Sequence, residues 1–502
     1  MISRKEKKLL LDREPRFDNI LSSLKCGVDL PKTIVKETAD AIAYARKFND
    51  EVIRPNTLKE DIKTFEDPDY LPWDIIKKAN EWGFYTMFIP RMFGGKGLSP
   101  IASSCVTEEL ASACVGFANV MLVHYLGVIG INVSWNMELM NRIFREVVRG
   151  EESGKPCIIS LAITEPEAGT DVEENELVDR ARLNCRAQRV DGGYIVNGSK
   201  VFISMGHVSD WCCLTAYTDL KRPSENAINF AVKKGMKGFY LGRHENKMGQ
   251  RVCPASELVF EDCFIPDDLV LTSPDTLWDK VLKSRRDAIE QAIHYVLSVT
   301  RPGVGAFGTG VARGAYEKAL EFASTTKVGG RLLINHEWAQ TMLAEMYKNV
   351  LAGRLAYMEA NYANSLPGGI YNPIMKKSAY YYQKYAPQSL FDKLASSPFN
   401  IRLSSWLMRA MYVDGQPLEI QQRNTGLASF AKVLGTDAGV KNCHMALEMM
   451  GQAGLRHDRG AEKILRDSKL LQIYEGTNQL NRLNMFANLI GNSIPWVRTF
   501  QD

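Results

Sequence analysis

Apolar positions recur at helical spacing through the first part of the chain. Residues 34–52 and 74–82 each place apolar side chains on one face, which predicts amphipathic helices. Residues 110–137 carry no formal charge over 28 positions, a length that would also span a bilayer. Polar side chains within that segment, among them Asn119 and His124, are costly in lipid, so we predict buried helices instead. The pattern indicates an N-terminal helical domain over residues 1–154.

The apolar pattern changes after residue 154. Short β-branched runs separated by turns predict strands, and D-G-G at residues 191–193 predicts a tight turn. The predicted strands are residues 157–163, 194–196, 211–217, 228–232 and 257–260. Helical period returns from about residue 279. The order of elements is typical of an α+β protein with a middle β domain over residues 155–273 and a helical domain over residues 274–502.

Composition excludes several classes of protein. Of the 502 residues, 45% are apolar and 24% are charged, which is usual for a soluble globular enzyme. A formal net charge of +4 is too dilute to indicate a nucleic-acid partner. The ten cysteines show no C-x-x-C spacing, so we expect free thiols and no metal site. The charged N-terminus is not a secretory signal, so we expect a cytoplasmic location and leave peripheral membrane contact open.

One carboxylate lies in a setting suited to acid–base chemistry. Apolar residues at helical spacing predict one helix from Ala461 and another from Leu480. Thr477 or Asn478 would cap the second helix. Glu475 lies in the short apolar break between them, where a carboxylate that loses water is a candidate general base. A helix cap or a solvated surface charge is the alternative interpretation.

Four segments of the chain carry a resemblance to a known family. They are L-A-I-T-E-P-E-A-G-T-D at residues 161–171, D-G-G-Y-I-V-N-G-S-K-V-F-I-S at residues 191–204, M-G-Q-R at residues 248–251 and I-Y-E-G-T-N-Q-L-N-R-L at residues 473–483. The last segment is preceded by L-R-D-S-K-L-L-Q, which matches in register. In this order the segments resemble the FAD-dependent acyl-CoA dehydrogenases, and the chain is identified as an atypical member of that family.

The resemblance implies a fold, a reaction and partners. The fold would be an N-terminal α-helical domain, a small β-barrel-like middle domain and a C-terminal four-helix bundle. Glu475 would take the α-proton of an acyl-CoA thioester while the β-hydride passes to FAD, giving a trans-2-enoyl-CoA as in fatty acid β-oxidation. The implied partners are the acyl-CoA substrate, an electron-transferring flavoprotein as acceptor, and further copies of the chain in a dimer or tetramer. The alternatives are an acyl-CoA oxidase, another flavoenzyme of this fold, or a binding or assembly protein without catalysis.

The resemblance also assigns cofactor and substrate contacts. In chain order, the expected FAD contacts are Leu161, Ala162, Ile163, Thr164, Gly169, Thr170, Phe202, Ser204, Gln452, Thr477 and Asn478. Phe202 stands where the family commonly has Trp and keeps a flat apolar surface, and Ser204 stands for a Thr near the flavin N5. The expected substrate contacts are Arg301 for the CoA portion, with Thr170, Tyr474 and Gly476. The backbone N–H of Glu475 would stabilise the enolate-like thioester oxygen.

The chain departs from the family's pattern around the FAD adenylate. Thr326 and Gly329 replace an Arg and a Phe, and Glu448 replaces a Gln, at positions that hold FAD across the subunit interface in the family. We expect FAD binding to be retained with its adenylate half held differently, and Arg331 and Gln452 are the candidate residues.

Residues 361–421 form the second departure. This segment, rich in Pro, Gly and aromatic residues, interrupts the C-terminal helical domain where other members have a short connection. A loop of this length without a function is uncommon. The predicted roles are to cover the acyl pocket, to enlarge a subunit contact or to touch a membrane or partner. A folded surface excursion is the alternative.

Overall fold

The N-terminal part of the structure is helical, as the apolar spacing predicts. The structure, a computed structural model, describes residues 32–277, 284–365, 381, 384–395, 397–409, 418–494 and 496–501. The described helices of this part are α1 (Lys32–Phe48), α2 (Arg54–Glu66), α3 (Trp73–Glu81), α4 (Pro100–Leu122), α5 (His124–Asn132) and α6 (Met137–Glu152). A π-helical turn at Asn49–Ile53 joins α1 directly to α2.

The uncharged segment forms the end of α4 and the whole of α5. The start of α4 is capped by Ser99, whose hydroxyl accepts a hydrogen bond from the N–H of Ala102. Among the described helices, α4 alone is long and apolar enough to cross a membrane, and 89% of its apolar window is buried inside the molecule. Burial on all sides is the property of a core helix in a soluble protein. The prediction of buried helices is confirmed.

A mixed sheet forms the middle of the chain. Its strands are β1 (Ile159–Ala162), β2 (Arg186–Val190), β3 (Gly193–Ser204), β4 (Trp211–Tyr217), β5 (Ala227–Lys233), β6 (Phe239–His244), β7 (Ala255–Pro266) and β8 (Val270–Thr272). The order is β6-β7-β3-β2-β4-β5-β8, and β1 runs parallel to β4 with Ile159 opposite Trp211. The five predicted strands are confirmed. The apolar pattern missed β2, β6 and β8. Most side chains of β2 and β6 are at least partly exposed, and β8 has only three residues.

Short helices accompany the sheet, and long helices follow it. The short ones are α7 (Asn175–Val178), α8 (Pro223–Asn226) and α9 (Pro274–Leu277). The later helices are α10 (Arg285–Thr325), α11 (Glu337–Ser365), α12 (Gln388–Ala395), α13 (Pro398–Arg409), α14 (Leu418–Met450), α15 (Ala461–Leu470) and α16 (Asn478–Leu489). A two-stranded hairpin of β9 (Lys327–Val328) and β10 (Arg331–Leu332) joins α10 to α11.

Helix α10 is the centre of the C-terminal bundle and packs against α14, α11 and α4. The contact between α10 and α14 is close enough to require glycine. A Cβ atom on Gly305 would lie 2.6 Å from the carbonyl oxygen of Ala431, and one on Gly435 would lie 2.2 Å from the carbonyl oxygen of Gly305. This approach brings residues of α10 and α14 to the same side of the site described below.

The connection between α11 and α14 leaves the bundle and reaches the N-terminal helices. It spans residues 366–417, so residues 361–365 and 418–421 of the predicted insertion belong to bundle helices. Within the connection, α12 contacts the turn at Arg91–Phe93 and α13 contacts α6. Phe391 of α12 is buried, and its ring centroid lies 5.6 Å from that of Phe93. Residues 366–380, 382–383, 396 and 410–417 lie outside the described residues.

Candidate active site

A cavity of about 450 Å³ lies where the sheet, α10 and the turn between α15 and α16 meet. Its wall includes Phe202 from the sheet, Thr300 from α10 and Glu475 from the turn. The other predicted site residues on this wall are Leu161, Ile163, Thr164, Ser204 and Tyr474. The structure therefore brings residues from three distant parts of the sequence to one cavity.

Glu475 is held in an unusual backbone conformation at this wall. Its φ is +57°, and that of Gly476 is +76°. Positive φ is uncommon outside glycine and is found where surrounding contacts impose it. One such contact is a hydrogen bond of 2.7 Å from the Thr300 hydroxyl to Oε2 of Glu475. Another is the Asn481 side chain, which donates to the carbonyl oxygens of Glu475 and Gly476 at 3.2 and 2.9 Å. The carboxylate is thus fixed in direction as well as in place.

A buried lysine from an earlier helix also holds this turn. Lys432 of α14 has no exposed surface, and its Nζ donates to the Gly476 carbonyl oxygen and to Oδ1 of Asn478, both at 2.7 Å. Burial lowers the pKa of Lys432 to about 7, while the nearby carboxylates of Glu173 and Glu475 act in the opposite direction. This ammonium connects the turn to the bundle.

A second carboxylate, Glu173, lines the cavity and was missed by the sequence analysis. Its Oε2 accepts a hydrogen bond of 3.1 Å from Arg301. Burial raises the pKa of Glu173 to about 7; the charge of Arg301 opposes this shift and that of Glu475 adds to it. A Cβ atom on Gly476 would lie 2.7 Å from the same Oε2, and the φ of +76° also favours glycine at this position. Glu173 lies two residues after the motif at residues 161–171, but its partner Arg301 is 128 residues away, so no local signal marks it.

Arg301 does not occupy the position expected of a CoA contact. Its side chain has no exposed surface, and its guanidinium donates to Glu173 and, at 2.9 Å, to the hydroxyl of Ser429. A guanidinium engaged in this way is directed into the protein rather than to a ligand. The assignment of Arg301 to the CoA portion is therefore corrected: this residue is part of a buried ion pair behind the cavity wall.

The residues along the sheet side of the cavity fit a flat ring. Ala162 at the end of β1 is buried, while Leu161, Ile163 and Thr164 reach the cavity. Phe202 presents an aromatic ring that is 57% exposed, which is unusual for so large an apolar side chain. An exposed ring beside hydroxyl groups and open volume suits the isoalloxazine of a flavin.

A buried ion pair fixes the segment that carries this surface. Lys200 and Glu165 have fully buried side chains and lie 2.7 Å apart. The Lys200 ammonium also donates to the carbonyl oxygen of Ile163 at 2.8 Å. Further along the segment, the Gly169 N–H donates to Oδ1 of Asp171, and Thr170 starts a 3-10 turn with a partly exposed side chain. Gly169 and Thr170 therefore remain accessible, as the FAD contact predicted for them requires.

Three further predicted cofactor residues lie in different settings. Thr477 is the N-cap of α16, and its hydroxyl accepts from the N–H of Leu480 at 3.3 Å. Gln452 is exposed on the 3-10 turn that follows α14. Asn478 is buried, and its side chain is engaged by Lys432, Thr436 and Asp437. The assignment of Asn478 to the cofactor is corrected, because these partners use both ends of its amide.

The substituted positions around the predicted adenylate contact lie at the surface. Thr326 is the C-cap of α10, and Gly329 lies in the turn of the β9–β10 hairpin with φ of +58°. Glu448 is exposed on α14. Arg331 is exposed on the same hairpin and contacts His336 at 3.1 Å. Arg331 and Gln452 are both accessible, so they stay candidates for the adenylate.

Comparison with known proteins gives a consistent result over most of the chain. The model of the acyl-CoA dehydrogenase N-terminal domain matches residues 36–151, that of the middle domain matches residues 160–263, and that of the C-terminal domain matches residues 290–370 and 392–490. The Mycobacterium tuberculosis protein named "Probable acyl-CoA dehydrogenase FadE25" is 27% identical over 420 residues, which are 84% of this chain and 88% of that protein.

Solved structures share the fold. The butyryl-CoA dehydrogenase of Megasphaera elsdenii superposes with a TM-score of 0.67 at 21% identity, covering 90% of this chain and 98% of its own. The FAD complex of PigA superposes with a TM-score of 0.66 at 21% identity, covering 90% of this chain and 97% of its own. The fold prediction of two helical regions around a middle domain is confirmed. The chain therefore belongs to the acyl-CoA dehydrogenase family of flavin-dependent oxidoreductases, and its cofactor is FAD.

Proposed function

We propose that the protein removes hydrogen from the α- and β-carbons of an acyl-CoA thioester and produces a trans-2-enoyl-CoA. The observation that carries this proposal is the position of Glu475, which Thr300 holds on the wall of the cavity that Phe202 and Ser204 also line. A carboxylate at such a wall is suited to take the proton beside a thioester carbonyl. When bound, FAD supplies the acceptor for the β-hydride.

The side chain and the backbone N–H of Glu475 have different roles toward the thioester. The Glu475 carboxylate forms an O–H bond as the α-C–H bond breaks, and the Thr300 hydrogen bond keeps one carboxylate oxygen oriented during the transfer. Among the described residues, the Glu475 N–H has no backbone acceptor. An unpaired N–H at this point is suited to donate to the thioester oxygen as negative charge develops on it.

Apolar side chains on the cavity wall indicate the kind of acyl group. They include Leu122, Leu126, Ile129, Val304 and Phe307. Burial of a hydrocarbon chain against such side chains is favourable at about 0.8 kcal/mol per methylene group. We infer that the substrate carries an aliphatic acyl chain.

The proposed physiological setting follows the same chemistry. An electron-transferring flavoprotein would reoxidise the flavin, and the enzyme would act in β-oxidation as a homo-oligomer in the cytoplasm. Oxygen uptake during turnover distinguishes the two acceptors, because an acyl-CoA oxidase consumes oxygen and a dehydrogenase that uses an electron-transferring flavoprotein does not. Sedimentation of the purified protein measures its oligomeric state.

The test of the proposal is anaerobic flavin bleaching with saturated acyl-CoA thioesters. The FAD-loaded protein should lose its visible flavin absorption on mixing and release the trans-2-enoyl product. Glu475→Gln should keep its flavin and its affinity for acyl-CoA while bleaching is abolished. Glu261→Gln is the matched control, because Glu261 is an exposed carboxylate on β7. A Glu475→Gln variant that bleaches at the wild-type rate, or a protein that cannot be loaded with FAD, contradicts the proposal.

A further inference from the structure

Helix α13 exposes large apolar side chains on a helix that lies at the protein surface. Four of them share the face formed by positions i, i+4, i+7 and i+8. Their exposed fractions are 71% for Phe399, 42% for Leu403, 57% for Trp406 and 44% for Leu407. A contiguous exposed patch of this kind marks an interaction surface, whereas isolated exposed apolar residues do not.

The orientation of α13 is the reverse of that of an ordinary surface helix. The side turned to the protein includes Ile401, which packs on the core, and Ser405, whose hydroxyl accepts a hydrogen bond from the Met137 N–H of α6 at 3.4 Å. The apolar side is therefore turned to solvent although the helix is docked. Because α12 is anchored through buried Phe391, the helix is presented at a defined place on the N-terminal helices.

The charge of the connection indicates the partner. Residues 366–417 contain six Lys or Arg and two Asp, a formal net charge of +4. Lys384 pairs with Glu37 and Asp392 with Arg145, and these two pairs leave that net charge unchanged. Arg402 is exposed on α13 at helical spacing from both Phe399 and Trp406. Nine of the residues in this connection are aromatic. A helix that combines an apolar face, Trp and basic residues has the composition of one that lies in the plane of an anionic membrane surface.

We propose that the apolar face of α13 binds the surface of a lipid bilayer that carries anionic headgroups. Phe399, Leu403 and Leu407 enter the boundary between headgroups and acyl chains, and Trp406 lies at the level of the headgroups. Arg402 contacts the phosphate or another anionic group of a lipid headgroup. Attachment of this kind is peripheral and reversible, and it is independent of the function proposed for Glu475.

The experiment is flotation of the FAD-loaded full-length protein with vesicles of phosphatidylcholine, alone or mixed with phosphatidylglycerol. The wild-type protein should float with the mixed vesicles. The double variant Phe399→Ser/Trp406→Ser should lower the partition coefficient by about tenfold or more. Arg402→Gln should lower it by about fivefold on the anionic vesicles and leave binding to phosphatidylcholine unchanged. Trp338→Ser is the matched control, because Trp338 is 51% exposed on α11, outside this face.

Three results overturn the proposal. The first is absence of flotation with either vesicle, and the second is equal flotation of the double variant and the wild type. The third is a smaller sedimenting mass of the double variant in the absence of lipid, which would assign the face to a contact with a second copy of the chain. Flavin content and acyl-CoA bleaching of each variant verify that the active site is intact.

Discussion

Thr300 donates a hydrogen bond of 2.7 Å to Oε2 of Glu475, although 175 residues separate them in the chain. Thr300 is buried in the middle of α10, and Glu475 lies in a turn with positive φ. The rigid central helix of the bundle therefore determines the direction of a carboxylate that belongs to a turn. This relationship is the basis of the first prediction.

Thr300→Val should slow flavin bleaching by acyl-CoA by about tenfold, the equivalent of one hydrogen bond to a charged group. Valine has nearly the shape of threonine, so the cavity volume and the flavin content should not change. Stopped-flow absorption under anaerobic conditions measures the rate. Thr300→Ser, which keeps the hydroxyl, is the control and should retain most of the rate. Equal rates for the Val variant and the wild type would show that the hydrogen bond has no role.

Glu173→Gln should change the pH dependence of stability. Because the pKa of Glu173 is raised from 4.5 to about 7, its contribution to folding is fully present below pH 4.5 and is lost as pH rises to 7. The neutral variant has no such loss, so relative to the wild type it should gain about 2 kcal/mol in free energy of unfolding between pH 5 and pH 8. Urea denaturation at both pH values measures the difference, and a constant difference would refute this account.

Lys432→Met should remove a rise of stability with pH, the opposite of the fall that Glu173 causes. Because the pKa of Lys432 is lowered from 10.5 to about 7, the unfolded chain binds more protons between these values, and the stability of the wild type rises with pH there. Thermal denaturation from pH 7 to pH 9 should show this rise in the wild type and not in the variant. Lys441→Met is the control, because Lys441 is exposed and paired with Glu345. The same rise in both proteins would exclude Lys432 as its source.

Lys200→Met should destabilise the protein by about 3–5 kcal/mol, because it leaves the Glu165 carboxylate buried without its partner. The double variant Lys200→Met/Glu165→Gln should recover part of this loss, since glutamine is neutral and still accepts from the Cys185 N–H. Urea denaturation measures both values. The segment from Leu161 to Thr164 depends on this pair, so flavin content should fall with stability. A single variant as stable as the wild type would contradict the role of the pair.

Local pattern was sufficient where the determining interactions are local. The spacing of apolar residues predicted α15 and α16, and it left the cap of the second helix between Thr477 and Asn478, of which the structure uses Thr477. The same reasoning placed Glu475 between two helices, and the motifs around Leu161 and Phe202 identified the wall that those residues share. Each of these features depends on residues that lie close together along the chain, so a sequence pattern can reveal it.

Tertiary structure decided the features that depend on burial and long-range pairing. Arg301 was assigned to the CoA portion by resemblance, yet its partner Glu173 comes from a distant part of the chain and holds the guanidinium inside the protein. Asn478 likewise lies within the motif at residues 473–483, but its side chain is engaged by Lys432 of α14. The sequence by itself determined the family, the order of helices and strands and the candidate base. The partner of each charged group and the outward face of α13 depended on packing between distant segments, because desolvation and ion pairing are set by neighbours in space rather than along the chain.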